Sequence, residues 1–279
     1  MTEDVRLHVG CAMWSHPAWP RTRRQLATYA TWCNAVEGNT TFYGVPSPST
    51  VASWAEQAPA DFRFVFKFPR PITHERRLRD TRREVAEFLG SVAPLGERVW
   101  TVTAQLPASF GPPDLGALVA FLAGLPAQFR YAVEVRHPRF FDGSPSARAL
   151  ARVFSDHGVE WVGFDTTVLF AEPPTSDGER GAWSNKPRLP RRTDAVTDRP
   201  IVRYIGRDDP AATAAGWAPW LPIVAGWLAD GRRPTVFVHT PDNADALALA
   251  REFHAAVGRL VPPLAPLPEP ERQEPSTLF

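Results

Sequence analysis

The sequence predicts an α/β fold of the TIM type, a (β/α)8 barrel with a parallel sheet. Eight short runs rich in β-branched and aromatic residues recur along the 279-residue chain, and helical spacing fills most of the segments between them. The runs are Arg6–Met13, Asn34–Tyr43, Phe62–Phe68, Val99–Leu106, Tyr131–His137, Glu160–Thr166, Ile201–Ile205 and Thr235–Thr240. Most end in a polar or charged residue, and active sites of barrels form where the strands end.

The connections between these runs mostly show the spacing of amphipathic helices. The predicted helices are Arg23–Cys33, Val51–Gln57, Thr81–Val92, Asp114–Leu125, Ser146–His157, Ala211–Ala229 and Asp242–Val257. Asp114 and Asp242 follow prolines and mark helix starts, while Gly158 and Gly231 are typical of helix ends. Alternating strands and helices favour parallel strands with right-handed crossovers, which close most naturally into a barrel.

One connection breaks this rhythm. Val168–Pro200 shows little helical period and is predicted as a long irregular loop in place of helix six. Its basic residues are Arg180, Lys186, Arg188, Arg191 and Arg192. The segment is therefore either a variable solvated loop or a basic lid over an anionic ligand. We expect one barrel domain over residues 1–260 and a disordered tail rich in proline and glutamate over 261–279.

Composition limits the partners and the compartment. The formal net charge is +1, so overall charge gives no reason to expect nucleic acid or a membrane surface as a partner. Cys11 and Cys33 have no metal-type spacing and are expected to be reduced core thiols. The N-terminus lacks an apolar signal stretch, and no apolar run approaches the ~20 residues of a membrane span. We therefore expect a soluble cytoplasmic protein.

Polar residues near the strand ends form the candidate site. Alternation along a strand places Glu37 with Asn39 on one face, and Glu134 with Arg136 on another, while apolar residues fill most alternate positions. The polar set is therefore expected to face the barrel interior. Its charged members are Glu37, Glu134, Asp165, Lys67, Arg136 and Arg203. The three acidic and three basic side chains balance in charge, which indicates a self-neutralising ion-pair network, a ligand site, or both.

Roles can be assigned to these residues by their chemistry. The candidates for catalysis are Glu37, Lys67, His74, Glu134, His137 and Asp165. The candidates for ligand binding are Trp14, Asn39, Tyr43, Gln105, Arg136, Arg203 and His239. Lys67, Arg136 and Arg203 would hold an anion, and Glu37 or Glu134 would act as acid or base. His74 or His137 would move a proton near neutral pH.

The chain lacks the common cofactor and nucleophile motifs. It has no P-loop, no G-x-G-x-x-G and no G-x-S-x-G, so the cofactor stays unknown and a serine nucleophile elbow is not expected. Histidines and carboxylates of the site could supply ligands to a divalent metal. A metal is nevertheless not favoured, because none of these residues has H-x-H or H-E-x-x-H spacing.

Several motifs, in order, resemble one known family, the "domain of unknown function 72". They are Val9-Gly-Cys-Ala-Met-Trp-Ser, Val36-Glu-Gly-Asn-Thr-Thr-Phe-Tyr, Phe62-Arg-Phe-Val-Phe-Lys, Ile72-Thr-His-Glu-Arg-Arg-Leu, Gln105-Leu-Pro-Ala-Ser-Phe and Val133-Glu-Val-Arg-His-Pro. The resemblance implies a TIM-barrel-like fold and no reaction. It implies family-type rim residues at Glu37, Asn39, Thr41, Tyr43, Lys67, His74, Gln105, Glu134, Arg136 and His137. The chain departs from the pattern at Ile205, where a histidine is expected nearby, and at His239 and Thr240, where an asparagine pair is expected.

Two classes of function remain open from the sequence. The first is an enzyme, such as a hydrolase, lyase or isomerase, that acts on a phosphorylated or otherwise anionic small molecule or on a nucleic-acid fragment. Of these substrates, a nucleic-acid fragment is supported more weakly by the sequence than a small anionic molecule. The second is a non-catalytic binding or scaffold protein that holds an acidic partner through the basic loop. The first class requires a titratable group at the floor of a deep pocket.

Overall fold

The computed structural model describes residues 5–270. The strands are β1 (His8–Gly10), β2 (Ala35–Gly38), β3 (Arg63–Lys67), β4 (Val99–Gln105), β5 (Tyr131–Glu134), β6 (Glu160–Trp161), β7 (Gly163–Asp165), β8 (Ile201–Ile205) and β9 (Thr235–His239). The helices are α1 (Gln25–Ala30), α2 (Thr40–Tyr43), α3 (Pro48–Gln57), α4 (Arg82–Val92), α5 (Leu115–Ala123), α6 (Pro145–His157), α7 (Asp177–Asn185), α8 (Pro210–Gly216), α9 (Trp220–Ala229) and α10 (Ala246–Gly258). Within residues 5–270, no helix has the length and the apolar character needed to cross a membrane.

All strand pairs are parallel, as predicted, but the strands form two sheets rather than one closed sheet. One sheet has the order β1-β9-β8-β7 and the other the order β2-β3-β4-β5-β6. The predicted sixth strand is divided at Val162, because Trp161 pairs with Val133 of β5 while Gly163 pairs with Val202 of β8. The prediction of a closed barrel is therefore wrong for the hydrogen-bonded sheet, although the predicted strand segments are present.

The seam between β1 and β2 is crossed by one backbone hydrogen bond, from the Glu37 N–H to the Cys11 carbonyl at 3.0 Å, and side chains take the other positions where a closed sheet would need backbone pairing. The Asn34 amide accepts from the Val9 N–H at 2.8 Å. The Tyr29 hydroxyl accepts from the Cys11 N–H and donates to the Ala35 carbonyl, both at 2.8 Å. Because buried peptide groups need partners, these two side chains satisfy groups that a ladder would otherwise pair.

Two predicted segments fold differently from expectation. The predicted strand Asn34–Tyr43 ends at Gly38 and continues into the short helix α2. Val168–Pro200 contains helix α7, so the prediction of an irregular loop is wrong for that part. The Ser176 hydroxyl caps α7 by accepting from the Glu179 N–H at 3.0 Å. This Ser-x-x-Glu spacing is a known sequence signature of helix starts.

The predicted tail begins with residues that contact the domain. Leu264 forms an isolated parallel bridge with Val5, and the Arg251 guanidinium donates to the Pro268 carbonyl at 2.7 Å. Residues 271–279 of the predicted tail lie outside the described part of the chain.

One layer of apolar side chains fills the space enclosed by the strands. It consists of Ala35, Val65, Trp100, Ala132, Val162, Ile201 and Phe237, which form a buried cluster separate from the larger core between strands and helices. Side chains two residues apart on a strand share a face. Residues that stand two positions before or after a member of this interior layer therefore also face the space enclosed by the strands.

Candidate functional site

The candidate site lies one step above the interior layer, toward the C-terminal ends of the strands. Two residues after layer members stand Glu37, Lys67, Glu134, Arg203 and His239. All five are buried. The structure places these residues at one end of the interior layer because of the two-residue period of the strands, and four of them, Glu37, Lys67, Glu134 and Arg203, belong to the predicted charged set.

Arg203 of β8 joins the two glutamates at the centre. Its Nε lies 2.6 Å from Oε1 of Glu37, and its Nη2 donates to Oε2 of the same carboxylate at 3.0 Å. Its Nη1 donates to Oε2 of Glu134 at 2.7 Å. A guanidinium suits this position because its planar set of donors can contact two carboxylates at once.

Arg136 and Lys67 complete the ion-pair cluster. Arg136 donates through Nε to Oε1 of Glu134 at 2.7 Å, and its Nη2 lies 2.6 Å from the same oxygen. Nζ of Lys67 lies 3.3 Å from Oε2 of Glu37 and donates to Oε1 of Gln105 at 3.1 Å. We call Glu37, Lys67, Glu134, Arg136 and Arg203 the rim cluster; it contains two carboxylates and three cations.

The cations keep both glutamates ionised. Burial by itself would raise the pKa of Glu37, but Arg203 and Lys67 lower it to about 2. Burial likewise opposes ionisation of Glu134, and Arg136 with Arg203 holds the pKa of that carboxyl well below its usual range. Burial and then the neighbouring Arg203 lower the pKa of Lys67 to about 8. Lys67 is therefore the member of the rim cluster that titrates nearest to neutral pH.

His239 lies beside Glu37 as a neutral imidazole. Its Nε2 is 3.9 Å from Oε2 of Glu37 and has no hydrogen-bond partner within residues 5–270. Burial, followed by the charge of Arg203, lowers the pKa of His239 well below its usual range. The imidazole is therefore uncharged at neutral pH and could accept or donate one hydrogen bond.

Asp165 does not join the rim cluster. Phe164 is two residues after Val162 and pairs in register with Arg203, so it takes the inward position, and Asp165 alternates away from it. The carboxylate of Asp165 instead accepts from Arg191 Nε and Trp220 Nε1, both at 2.7 Å. The predicted convergence of Asp165 with the other five charges is wrong for this reason.

The two predicted histidines of the rim lie in different surroundings. His74 is half-buried in a π-helical turn over Pro71–Glu75 and packs edge-on against Phe42 at 5.1 Å. Burial and then the charge of Arg136 lower the pKa of His74. Nδ1 of His137 accepts from the Arg139 N–H at 3.2 Å and so caps the turn that follows β5. Only His74 is electrostatically coupled to the rim cluster.

The remaining predicted ligand-binding residues are spread around the strand ends. Asn39 donates to the Ala12 carbonyl at 2.9 Å, and its buried Oδ1 has no partner within residues 5–270. Tyr43 is 82% exposed. Trp14 packs edge-on against Trp54 of α3 at 5.5 Å, in the layer of helices. Within residues 5–270, no hydrogen bond or ion pair joins the side chains of these three residues to those of the rim cluster, although the Asn39 backbone N–H donates to the Glu37 carbonyl at 2.9 Å.

Sequence reasoning did not assign Lys186 to the site, although composition carried a signal. Lys67 and Lys186 are the only lysines among 31 basic Lys and Arg residues. Burial and then Arg203 lower the pKa of Lys186 to about 8, with Arg136, Glu134 and Glu37 acting on it as well. Lys186 follows α7 directly, so the Val168–Pro200 segment brings the second lysine of the chain toward the rim cluster.

Buried contacts hold α7 in place. Arg207, just after β8, donates to both oxygens of Glu179, at 3.1 and 2.8 Å. Burial would raise the pKa of Glu179, but the hydrogen bond from Arg207 and the backbone donors lower it to about 2.

Within residues 5–270, no group of three His, Cys, Asp or Glu residues could hold a metal ion.

The chain is similar to proteins of one family along almost its whole length. The model of the family described as "Protein of unknown function DUF72" matches residues 8–274. The UPF0759 protein YecE of Escherichia coli O157:H7 is 39% identical over 274 residues, which cover 98% of this chain and 100% of that protein. The same protein of strain K12 matches equally well.

Solved structures show the same fold at low sequence identity. A DUF72 family protein from Enterococcus faecalis V583 aligns with a TM-score of 0.70 at 16% identity, covering 90% of this chain and 95% of that one. A DUF72 family protein from Thermotoga maritima MSB8 aligns with a TM-score of 0.65 at 21% identity, covering 90% and 98%. From the family model and the 39% identity to the two E. coli proteins, this chain belongs to the DUF72 family.

Proposed function

We propose that the protein is an enzyme that binds a phosphorylated or otherwise anionic small molecule at the rim cluster. The observation that carries this proposal is the charge balance. Two carboxylates face three cations, which leaves one positive charge, and Lys186 adds a second from the loop side. A buried excess of positive charge is costly unless an anion compensates it.

A cytoplasmic location fits the two free thiols of Cys11 and Cys33.

Arg136 and Lys186 are the groups best placed to contact the ligand. Arg203 contacts the carboxylates of both Glu37 and Glu134, so its role is to position them. Arg136 uses Nε and Nη2 for Glu134, which leaves Nη1 without a hydrogen bond within residues 5–270, and its side chain is 17% exposed. The Lys186 amine likewise has no ion pair or hydrogen bond among the described residues. A tetrahedral oxyanion would satisfy both donors.

Lys67 and Lys186 are better candidates for proton transfer than the two glutamates. With its pKa near 2, Glu37 is a weak base at neutral pH, and Glu134 is held ionised in the same way. An amine whose pKa is about 8 exists in both protonation states near neutral pH, which suits a general acid or base. Lysine, unlike arginine, can lose its proton in this range, so the two lysines could supply chemistry that no arginine of the chain could replace.

The alternative of a non-catalytic protein that holds an acidic partner through the loop has less support. Arg191 of the loop bonds Asp165, and Arg188 packs over the rings of Phe170 and Trp183 at 4.4 and 4.7 Å. Arg192 packs over the Trp161 ring at 4.4 Å. These arginines are engaged within the domain, so the loop offers fewer free cations than its sequence suggests.

The test is a calorimetric titration with inorganic phosphate. Wild type should bind, and Arg136→Gln should weaken binding by roughly tenfold or more, the effect of one charge-assisted hydrogen bond. Arg139→Gln is the matched control, because Arg139 is three residues away, 64% exposed and paired with Asp142. Absence of binding in wild type, or equal loss in the control, would leave a self-neutralising ion-pair network as the better account.

A further inference from the structure

A second group of cations lies at the opposite, N-terminal end of the strands. A cavity of about 300 Å³ opens there, and four arginines line it: Arg6, Arg63, Arg232 and Arg233. Its other lining residues include His8 and Trp100, and none of the lining residues within 5–270 is acidic. A cavity of this size fits a small ligand.

Arginines surround the indole of Trp100, which belongs to the interior layer. The guanidinium of Arg199 lies 3.7 Å from the centre of the ring, and those of Arg233 and Arg63 lie 5.3 and 5.4 Å from it. His8 contacts the same ring edge-on at 4.8 Å. Three positive charges therefore share one aromatic ring, an arrangement in which the charges also repel one another.

Few carboxylates offset these charges. Asp198 lies 3.1 Å from Arg233 and 4.0 Å from Arg199, and Asp61 pairs with Arg6 at 3.4 Å. Neither Arg63 nor Arg232 has a carboxylate within 4 Å among residues 5–270. Burial and then the neighbouring Arg233 lower the pKa of Arg199 to about 10, which agrees with an uncompensated cluster of cations.

Three residues that line the cavity have buried polar atoms without a partner. Trp100 Nε1, Arg63 Nε and His8 Nδ1 make no hydrogen bond within residues 5–270. The first two are donors only. Behind the lining, Arg199 Nε and the Thr235 hydroxyl are also unpartnered. Buried polar groups normally have partners, so these donors favour a ligand rich in acceptors.

We propose that this cavity is a second anion site, which takes a small multiply charged oxyanion such as a diphosphate group. We call it the N-terminal site; His8, Arg63, Trp100 and Arg233 line its cavity, and Arg199 and Thr235 lie behind the lining, beside Trp100 and His8. A diphosphate carries many more acceptors than donors at neutral pH, so it suits the donor-only groups, and its charge offsets the arginines. The site does not depend on the function proposed for the rim cluster, because it lies at the other end of the interior layer.

The test is calorimetric titration with inorganic pyrophosphate in the Arg136→Gln protein, in which the rim cluster is weakened. We expect binding to persist there, and Arg233→Gln added to this background to raise Kd by roughly tenfold. Arg24→Gln, which alters an exposed arginine paired with Glu56, is the control and should leave Kd unchanged.

Arg63→Gln keeps the experiment decisive if Arg233→Gln folds poorly. Arg63 lines the cavity and its buried Nε has no hydrogen bond within residues 5–270, so its removal should also raise the Kd for pyrophosphate. Urea denaturation shows whether each variant folds as wild type does. No pyrophosphate binding in the Arg136→Gln protein, or unchanged Kd in both Arg233→Gln and Arg63→Gln, would overturn the proposal and leave the arginines as packing around Trp100.

Discussion

The two ends of the strand interior hold arginines in different ways. At the C-terminal end, Arg203 bonds two carboxylates, and the lengths of these contacts run from 2.6 to 3.0 Å. At the N-terminal end, Arg199 lies over the Trp100 ring, donates to the Trp100 carbonyl at 2.9 Å and is 4.0 Å from the carboxylate of Asp198. Buried ion pairs contribute chiefly to the stability of the fold, whereas cations without a close carboxylate are available to an anionic ligand. Substitutions at the first end should therefore change stability most, and substitutions at the second should change binding most.

The largest effect is expected from Glu134→Gln. The change removes the carboxylate charge that both Arg136 and Arg203 contact, and it leaves buried guanidinium groups with a weaker partner. Breaking a buried pair in this way costs about 3–5 kcal/mol. Urea denaturation of wild type and variant measures the difference in the free energy of unfolding.

The control for Glu134→Gln is Asp177→Asn, which breaks the pair of Asp177 with Arg180 on α7. The Asp177 side chain is 97% exposed, so this change should have no measurable effect on unfolding. A Glu134→Gln protein as stable as wild type would show that the glutamate does not hold the rim cluster together.

The next effect concerns acid stability and the N-terminal end. Burial and then the charge of Arg63 lower the pKa of His8 from 6.5 to about 3. Between these two values the unfolded chain binds a proton that the folded chain does not, so stability falls as the pH falls below 6.5. One such group contributes a slope of about 1.4 kcal/mol per pH unit.

His8→Gln removes this titration and should flatten the dependence of unfolding free energy on pH between 7 and 5. His239→Gln is a matched comparison at the other end, since the pKa of His239 is lowered as well. Urea denaturation at several pH values gives both slopes. A slope that is the same in His8→Gln as in wild type would mean that His8 is not buried as a neutral imidazole.

A smaller effect should appear in anion binding at the rim cluster as pH rises. Lys67 and Lys186 both have a pKa of about 8, so both lose their charge above that pH. Sulfate affinity should therefore fall by several-fold between pH 7 and pH 9.5, and sulfate itself does not titrate in this range. Calorimetry on wild type and Lys186→Met measures the change, which should be smaller in the variant.

The two lysines can also be titrated directly, because they are the only lysines in the chain. Reductive methylation with ¹³C-formaldehyde gives each lysine its own NMR signal, and Lys67→Arg and Lys186→Arg assign the two. Both amines should titrate near pH 8 rather than near 10.4, the value of an unperturbed lysine. Signals that titrate near 10.4 would remove the lysines as groups for proton transfer near neutral pH.

The smallest effect is expected from Tyr43→Ala. The ring is 82% exposed and contacts Phe42 at 5.4 Å, so its removal should change the free energy of unfolding by less than about 0.5 kcal/mol. The same protein tests the prediction that Tyr43 binds the ligand. A loss of phosphate affinity at unchanged stability would support that role, and unchanged affinity would argue against it.

Much of the candidate site followed from the sequence because strand alternation is a local rule. Glu37, Lys67, Glu134 and Arg203 each stand two residues after an apolar residue of the interior layer, a pattern visible in the sequence. Asp165 was assigned wrongly because it is the last polar residue of its strand, although the period from Val162 leads to Phe164. The face of its strand on which each side chain lies was therefore predictable, provided that the two-residue period was followed strictly.

The rest depended on contacts between distant parts of the chain. The open seam between β1 and β2 is set by where the side chains of Tyr29 and Asn34 lie, which alternation does not indicate. The position of α7 depends on the buried pair of Glu179 with Arg207, whose members are 28 residues apart. Lys186 directly follows the helix that this pair holds, and its pKa is lowered by the charges of Arg203 and Arg136. No periodic pattern marks such contacts.

A crystal structure with bound tungstate would test the difference between the two ends most directly. Tungstate is a tetrahedral oxyanion like phosphate, and its anomalous scattering locates it without ambiguity. We expect one site at Arg136 Nη1 and Lys186, and another at His8, Arg63 and Arg233 beside Trp100. Tungstate bound only to exposed arginines, with neither end of the strand interior occupied, would contradict the proposal that this protein binds anions at its strand ends.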